Sequence, residues 1–535
     1  MVITGKARSG NLFAEANSIR IHSVYDPVKE AKKYLQLYDF NKTSILLLLG
    51  PGIGYLLREL LFKYPKLHIV VFLYSDEFVE YYSRFNIPIW HPSSENNISA
   101  FLHKNVSEWV IDDLKILEWE PSAKAFPEIA LSVNKEINQF VKESNGNMMS
   151  VARYGNRWLK NSIKNILKLE KYITVKSIGK PVIIAASGPS LRQCISFLKK
   201  YRECFFLLAL PSSLFALYEE DLVPDLTIST DPGYYAGCHL QNLCRFSSPL
   251  IAAPLTSASV PCCGKTKTLL ISQNTFIENS FLLEYKLPYL SCRQHGTVAG
   301  TALYLCVTLG FNTVIFAGLD LCTEDVYEHV QPHYFDLMFN SSADRFSPLL
   351  SKLIMRIDQY SPKSIPGTKK RISLPLETYA GWFSRFQPPK NITIYRLNPS
   401  PVPINSFINV TASQLKKHFC IGKSINSRTI DIKDYTFLSI DERRSAAMRV
   451  LSSWNDKIIQ LKQKMTDRNV SEKIVFQDPL FELCYLLKLP EIKNIMKKIR
   501  QEKTLSSVNR ESFVDIFTSI SELLIDYSGR LHVFK

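Results

Sequence analysis

The sequence predicts an α/β protein: a Rossmann-like doubly wound central domain over residues 151–435, preceded by a smaller Rossmann-like N-terminal domain over 1–150 and followed by a helical C-terminal domain over 436–535. Three observations carry this prediction. The chain has 535 residues, and single hydrophobic cores stop growing at about 250–300 residues, so more than one core is required. Short apolar runs ending in glycine turns alternate with amphipathic stretches, and the alternation starts twice, at residue 44 and again at residue 181; such alternation builds a mostly parallel sheet covered by helices on both faces. Beyond residue 436 only helical periodicity is left.

In the N-terminal domain the order is strand SILLLL (44–49), turn Gly50-Pro-Gly52-Ile-Gly54, helix YLLRELL (55–61) and strand His68–Tyr74, which ends at Ser75-Asp76-Glu77. A glycine turn followed by acids after the next strand resembles a dinucleotide fingerprint or an S-adenosylmethionine-methyltransferase opening, although Gly54 comes one position early for G-x-G-x-x-G. Cofactor binding and a scaffold role are both open. Residues 98–117 and 134–169 read as mostly helical.

The central domain reads as strand PVIIAA (181–186), turn, helix to Tyr201, strand ECFFLLAL (203–210), helix through Glu220 and strand Asp225–Thr230. A less readable stretch follows, then TLLIS (268–272), helix Val298–Leu309, strand Thr313–Gly318 and ITIYRL (392–397). Helices are expected over 441–465, 479–487 and 511–527.

Composition excludes some functions. The longest apolar runs fall short of the roughly 18 residues that span a bilayer, so no membrane insertion is expected. The opening MVITGKARSGNLF lacks the apolar core of a secretion signal, and the eleven cysteines are scattered, with Cys262-Cys263 too tight for a zinc pair; a reducing cytoplasm is the expected location. The net charge of +16 favours acidic partners, but its lysines and arginines are dispersed, so nucleic acid is not expected.

The candidate chemistry lies at strand ends, where open α/β sheets bind ligands. Ser187-Gly188-Pro189-Ser190 leads an apolar strand into a helix N-terminus, where free amides and the helix dipole can hold a phosphate; an ordinary capped turn is the bland alternative. Asp231 follows the strand LTIST, and Gly318-Leu319-Asp320 closes the strand TVIFAG, so both aspartates are expected at one crevice. His295-Gly-Thr297 opens a helix and suits a second phosphate or a sugar carboxylate. His329 and His333 sit just past Asp320, where an imidazole can take a proton from a hydroxyl; Pro332 between them argues against a helical metal pair, so no metal is expected.

These residues carry a family resemblance. The order Ser187-Gly-Pro-Ser-Leu191, Val223-Pro-Asp-Leu226, Thr230-Asp-Pro232, Gly296-Thr-Val-Ala299 and Ala317-Gly-Leu-Asp-Leu321 resembles the core of the motility accessory factor (Maf) flagellin glycosyltransferases. Tyr25-Asp-Pro27, Arg153-Tyr-Gly-Asn-Arg-Trp158 and Thr378-Tyr-Ala-Gly-Trp-Phe383 look like further landmarks, so the likeness runs from about residue 20 to 400. That core is similar to bacterial sialyltransferases, whose Gly-Asn-Gly-Pro-Ser-Leu turn has Ser187 here in place of asparagine. Asn398-Pro-Ser-Pro-Val-Pro403 stands where the family has a glycine-rich segment.

The resemblance implies inverting, metal-independent transfer of a nonulosonic acid, of pseudaminic or legionaminic type, from its CMP-activated form onto serine or threonine of flagellin, as flagellar assembly and motility require. It implies no cofactor beyond that donor. His333 or His329 would be the base, with Asp320 beside them; Ser187, Gly188, Pro189, Ser190, Ser212, Asp231, Thr297 and Gly318 would bind nucleotide and donor. Alternatives are a hydroxymethylpterin diphosphokinase-like enzyme on the same core, a non-enzymatic flagellin-binding factor, and a methyltransferase using the Gly50–Gly54 turn.

Overall fold

A strand buried on both faces needs an unbroken apolar run, and the sequence supplies such runs at each predicted strand start. The computed structural model describes residues 2–533 except 42, 44, 66, 107, 176–180, 259–265, 293–295, 398–400, 420–431, 468–474, 477 and 503–505. Cys262, Cys263, His295 and Asn398-Pro-Ser400 therefore lie outside the described residues. The chain divides into two units, one of residues 1–153 with 461–518 and one of residues 154–460 with 519–535. The helices of 436–535 are thus shared between the units, where the sequence suggested a domain of their own.

In the first unit β1 (Val2–Lys6), β2 (Leu12–Ala16) and β3 (Ile19–Arg20) form an antiparallel sheet. A parallel sheet follows, built from β4 (Ile45–Leu49), β5 (His68–Phe72), β6 (Ile89–Trp90) and β7 (Leu114–Glu118) in the order β6-β5-β4-β7. Leu46 and Leu48 face one apolar cluster, Ile45, Leu47 and Leu49 the other. The expectation of helix through residue 117 is corrected at its end: the α-helix Ile98–Asn105 is followed by a 3-10 helix over Glu108–Asp113, and Leu114–Glu118 is a strand that pairs with Ile45–Leu49 along its length. Leu489, on the helix Phe481–Glu502, packs in the cluster of Ile45 and Phe72, which explains why that C-terminal helix belongs to this unit.

The Gly50–Gly54 turn has the form of an anion cradle, with φ +60°, +60° and +93° at its three glycines. Its space is occupied by the protein. The Ile53 amide donates to His22 Nε2 at 2.9 Å, and the Tyr82 hydroxyl donates to the Gly52 carbonyl at 3.0 Å. A Cβ on Gly52 would lie 2.3 Å from His22 Nε2 and one on Gly50 2.7 Å from the Tyr74 ring, so close packing by the chain's own side chains accounts for these glycines. Asp76 is bound to His91 Nδ1 at 2.6 Å and to the Ser93 hydroxyl at 2.7 Å, while Glu77 accepts from the Val2 amide at 2.8 Å. Both acids fasten loops.

In the second unit β8 (Lys171–Val175), β9 (Val182–Ala185), β10 (Phe206–Ala209), β11 (Leu226–Ile228), β12 (Leu250–Ala253), β13 (Lys267–Ser272), β14 (Leu290–Ser291) and β15 (Thr313–Ala317) lead into a small antiparallel sheet of β16 (Thr323–Glu324), β17 (Lys363–Ser364) and β18 (Lys370–Ile372). β19 (Thr393–Leu397), β20 (Ile408–Val410) and β21 (Ile432–Thr436) complete the main sheet, whose order is β20-β19-β15-β9-β10-β11-β12-β13-β8-β21 with β14 beside β13. All pairs are parallel except β21 with β8. Alternate residues feed opposite cores: Val182, Ile184 and Phe316 join one cluster, Ile183, Ala185 and Ile315 the other. β12 falls in the stretch the sequence left unread.

Strand order reverses at β9, which has β10 on one side and β15 on the other. This topological switch point opens a crevice at the strands' C-terminal ends. The helix Pro127–Lys168 steadies the neighbouring loops: Asn161 Nδ2 donates to the carbonyls of Pro232 and Thr256, and Asn165 Nδ2 to those of Leu255 and Ser257. Glu278, fully buried, accepts from the Thr256 hydroxyl and the Gln273 amide, and burial holds its pKa above the usual carboxylate range. Among the described residues no helix is long and apolar enough to cross a membrane.

His22 yields a pH prediction. Burial lowers its pKa from 6.5 to about 4, so the unfolded chain binds the proton first as pH falls. Its contribution is complete above pH 6.5 and is lost toward pH 4, amounting to about 3 kcal/mol. His22→Gln, which keeps an acceptor for Ile53, should therefore show a flatter loss of unfolding free energy between pH 7 and 4.5 than the parent; coincident urea-denaturation profiles would contradict this.

Candidate active site

The two loops that leave β9 and β15 are clasped together. The Gly188 amide donates to the Gly318 carbonyl at 2.8 Å, and the Val330 amide donates to the Ser187 carbonyl at 2.7 Å. Asp320 accepts from the Ser190 amide at 2.7 Å on one carboxylate oxygen and from the Ser190 hydroxyl at 2.5 Å on the other. Gly318 takes φ +77°, and a Cβ there would meet the Ala186 carbonyl at 2.8 Å; one on Gly188 would lie 2.6 Å from the Gly318 carbonyl. Both positions require glycine for close backbone approach. Beneath the clasp the buried Arg396 guanidinium donates to the carbonyls of Leu319, Asp320 and Val402.

This geometry corrects three expectations. Asp320 is 3% exposed and faces Ser190, so it is a positioning residue and does not line the open crevice with Asp231. Its carboxylate stands on the amide that starts the helix Leu191–Lys200, the place where the sequence suggested a phosphate. Ser190, 4% exposed, spends its hydroxyl on that carboxylate. Ser187, Gly188 and Pro189 keep partial exposure at the rim.

Next to the clasp, three imidazoles meet. His329 and His333 stack with ring centroids 4.3 Å apart, and His239 lies 4.8 Å from His333. Stacked rings do not converge on one ion, and among the described residues no group of three or more His, Cys, Asp or Glu is placed to hold a metal. The Ser187 hydroxyl lies 3.2 Å from His329 Nδ1. His333 is the N-cap of the helix Tyr334–Ser341: its Nδ1 accepts from the Phe335 amide at 3.3 Å, while Asp336 accepts from the His333 amide at 3.0 Å. An imidazole whose Nδ1 is an acceptor carries its proton on Nε2 when neutral. His333 is 1% exposed, and that Nε2 finds no hydrogen-bond partner among the described residues.

Burial lowers the pKa of His239 to about 4 and of His329 to about 3, with the positive Arg356 adding to both. His333 is pushed further down, by burial first and then by the neighbouring histidines and Arg356. All three are neutral at pH 7. His333 is thus unsuited as a base, because protonating Nδ1 would break its helix cap, whereas His329 is partly exposed and shares one nitrogen with Ser187.

The remaining predicted residues surround the crevice at greater separation. Asp231 is exposed and accepts from the Gly233 amide at 2.6 Å. Thr297 caps the helix Val298–Thr308 by accepting from the Ala299 amide at 3.2 Å, leaving its hydroxyl proton to donate. Ser212 is partly buried, and it is its neighbour Ser213 that ties the loop down by donating to the Ala185 carbonyl at 2.9 Å. Tyr379, from the Thr378–Phe383 landmark, lies against Gly296; burial and then the charge of Asp231 raise its pKa, with Tyr360 and Tyr154 contributing. Tyr379 is thus the residue that Gly296, Asp231, Tyr360 and Tyr154 have in common as a neighbour. His239 and Arg356 had no signal in the sequence beyond residue type.

The clasp gives a stability prediction. Asp320→Asn should lower the unfolding free energy by about 1.5–3 kcal/mol, the worth of a hydrogen bond to a charged partner. Ser190→Ala should cost less, since Asp320 keeps the Ser190 amide. A parental urea midpoint for Asp320→Asn would sink the positioning role.

A family model described as 6-hydroxymethylpterin diphosphokinase MptE-like matches residues 156–326. An uncharacterized protein of Treponema pallidum (strain Nichols) is 26% identical over 325 residues, 60% of this chain and 68% of that protein. Among solved structures, that of a MAf glycosyltransferase from Magnetospirillum magneticum AMB-1 is similar over 100% of this chain and 92% of its own, with 12% identity and a TM-score of 0.57. The chain shares a Maf-like α/β fold.

Proposed function

We propose that this protein is an inverting glycosyltransferase that moves a nonulosonic acid from a CMP-activated donor onto serine or threonine of flagellin in the cytoplasm. The observation that carries the reading is a partly exposed, neutral His329 beside Ser187 at the switch point of a sheet whose full-length fold is Maf-like. The ordered motifs from Ser187 to Leu321 support the donor class.

In this reading the His329 Nδ1 proton is held by the Ser187 hydroxyl, and Nε2 removes the acceptor hydroxyl proton as its oxygen bonds to the anomeric carbon. The bond from that carbon to the CMP phosphate breaks, and CMP leaves with the electron pair. A weak base suffices where the carbon–phosphate oxygen bond is largely broken before the nucleophile bonds, because the attacking hydroxyl then acidifies late. The Asp320 carboxylate excludes a phosphate from the helix Leu191–Lys200, so one of the donor's two anionic groups, phosphate or carboxylate, is assigned to Thr297 and the start of its helix.

The family match at residues 156–326 favours a second reading, a hydroxymethylpterin diphosphokinase-like enzyme. That match ends before His329, so it supports the shared sheet and leaves the histidine cluster unexplained. Pyrophosphate transfer from ATP to hydroxymethylpterin, with no sugar transfer, would establish it.

Intact-mass analysis of flagellin co-expressed with this protein and a nonulosonic acid pathway should show a sugar-sized increase. His329→Ala should reduce it at least 100-fold, within the roughly 10²–10⁴-fold range of general-base catalysis. Unmodified flagellin with the parent protein would overturn the reading. Because its surroundings, with Arg356 adding to them, lower the His329 pKa to about 3, kcat/KM should show no acidic limb between pH 5 and 7 from this base; a limb near 6.5 that vanishes in His329→Ala would contradict its neutral state.

A further inference from the structure

The histidine loop and the helix Leu349–Asp358 enclose a small cavity of about 20 Å³, lined among others by His329, His333, Phe335, Glu328, Asp336 and Arg356. That is room for a water or for the end of a larger ligand, since one water needs about 10–15 Å³ by this measure. Arg356 is held there on two sides. Its Nε pairs with Glu328 Oε2 at 3.1 Å, and its guanidinium carbon lies over the Phe335 ring, 3.7 Å from the centroid. A guanidinium fixed through Nε and one face keeps its two Nη groups as a preset fork, the geometry that grips carboxylate or phosphate through two parallel bonds.

His333 lines the same cavity, and its Nε2–H is a buried donor with no acceptor among the described residues. Leaving such a group unpaired is costly, and a donor rather than an acceptor is what the helix cap at Nδ1 dictates. Glu328 and Asp336 supply negative charge to the lining, but Glu328 is engaged by Arg356 Nε and Asp336 by the His333 amide. The unmet demand of the cavity is therefore for hydrogen-bond acceptors that His333 Nε2–H and the Arg356 Nη groups can both reach.

Resting on the glycosyltransferase reading of the same site, we propose that Arg356 and the His333 Nε2–H form an anion subsite that takes the sugar carboxylate or the nucleotide phosphate of the substrate. Glu328 and Phe335 are positioning residues for Arg356. The ligand oxygens occupy the Nη fork and satisfy Nε2–H, which sets the reacting carbon beside His329 while His333 takes no proton.

The test is NMR of the full chain with ¹⁵N-labelled histidine, titrated separately with N-acetylneuraminic acid, its methyl ester and cytidine monophosphate. A shift of the His333 Nε2 signal with the acid and not with the ester assigns the carboxylate; a shift with cytidine monophosphate alone assigns the phosphate; both support the subsite. Arg356→Met should weaken that binding by about ten- to a hundredfold, the effect of one charged hydrogen-bonding partner. Glu328→Gln should weaken it less, and Arg356→Lys, which keeps charge and folding, should restore part of it. No shift with either anion, equal response to acid and ester without a response to the nucleotide, or unchanged binding in Arg356→Met would overturn the subsite. If the parent modifies flagellin and Arg356→Met binds and transfers alike, the subsite fails and the transferase stands. If anions bind through Arg356 but no CMP-activated sugar is transferred, the transferase fails and the subsite stands.

Discussion

The arrangement of the second unit depends on one buried contact, the Asp320 carboxylate on the Ser190 amide and hydroxyl. A carboxylate at a helix start is stabilised by the free amides and the helix dipole. Here it also joins the loops of the two strands that flank the topological switch point, and Arg396 anchors the carbonyls of the same loop from below. The close approach of Gly188 to Gly318 follows from that contact, as does the delivery of residues 321–333 to the crevice edge. A helix N-terminus that the sequence offers to a ligand is thus consumed by the fold.

Packing then determines the chemistry of the histidines. Three rings crowded beside Phe335 and Arg356 cannot carry charge cheaply, so all three stay neutral. Neutral imidazoles differ by which nitrogen is occupied. The Phe335 amide on His333 Nδ1 makes that residue a donor at Nε2, while His329 has its Nδ1 beside the Ser187 hydroxyl. Two adjacent histidines of the same type acquire different roles from their backbone surroundings.

Much of this was legible in the sequence where local rules suffice. PVIIAA, TVIFAG and ITIYRL read as strands because parallel strands covered on both faces must be apolar throughout, and they lie within a residue or two of Val182–Ala185, Thr313–Ala317 and Thr393–Leu397. LKILE at 114–118 read as helix because five residues cannot separate the two periods, and only the partner Ile45–Leu49 decides the matter. The Gly50–Gly54 turn has the spacing of a cofactor cradle, but what fills it, His22 and Tyr82, comes from about 30 residues away on either side. Asp320 is 130 residues from Ser190, so no local pattern could reveal that its carboxylate is already engaged. His239 and Arg356 lie on separate helices, Tyr234–Leu240 and Leu349–Asp358, in stretches where the sequence offered no readable element, and tertiary packing alone brings them to His333.

The most direct measurement of where this protein handles its substrate is hydrogen–deuterium exchange with and without cytidine monophosphate. Nucleotide-dependent protection is expected in peptides covering 186–190, 296–301 and 321–333, with exchange at 50–55 unchanged because His22 and Tyr82 already fill that turn. Protection at 50–55 with none around the switch point would contradict it.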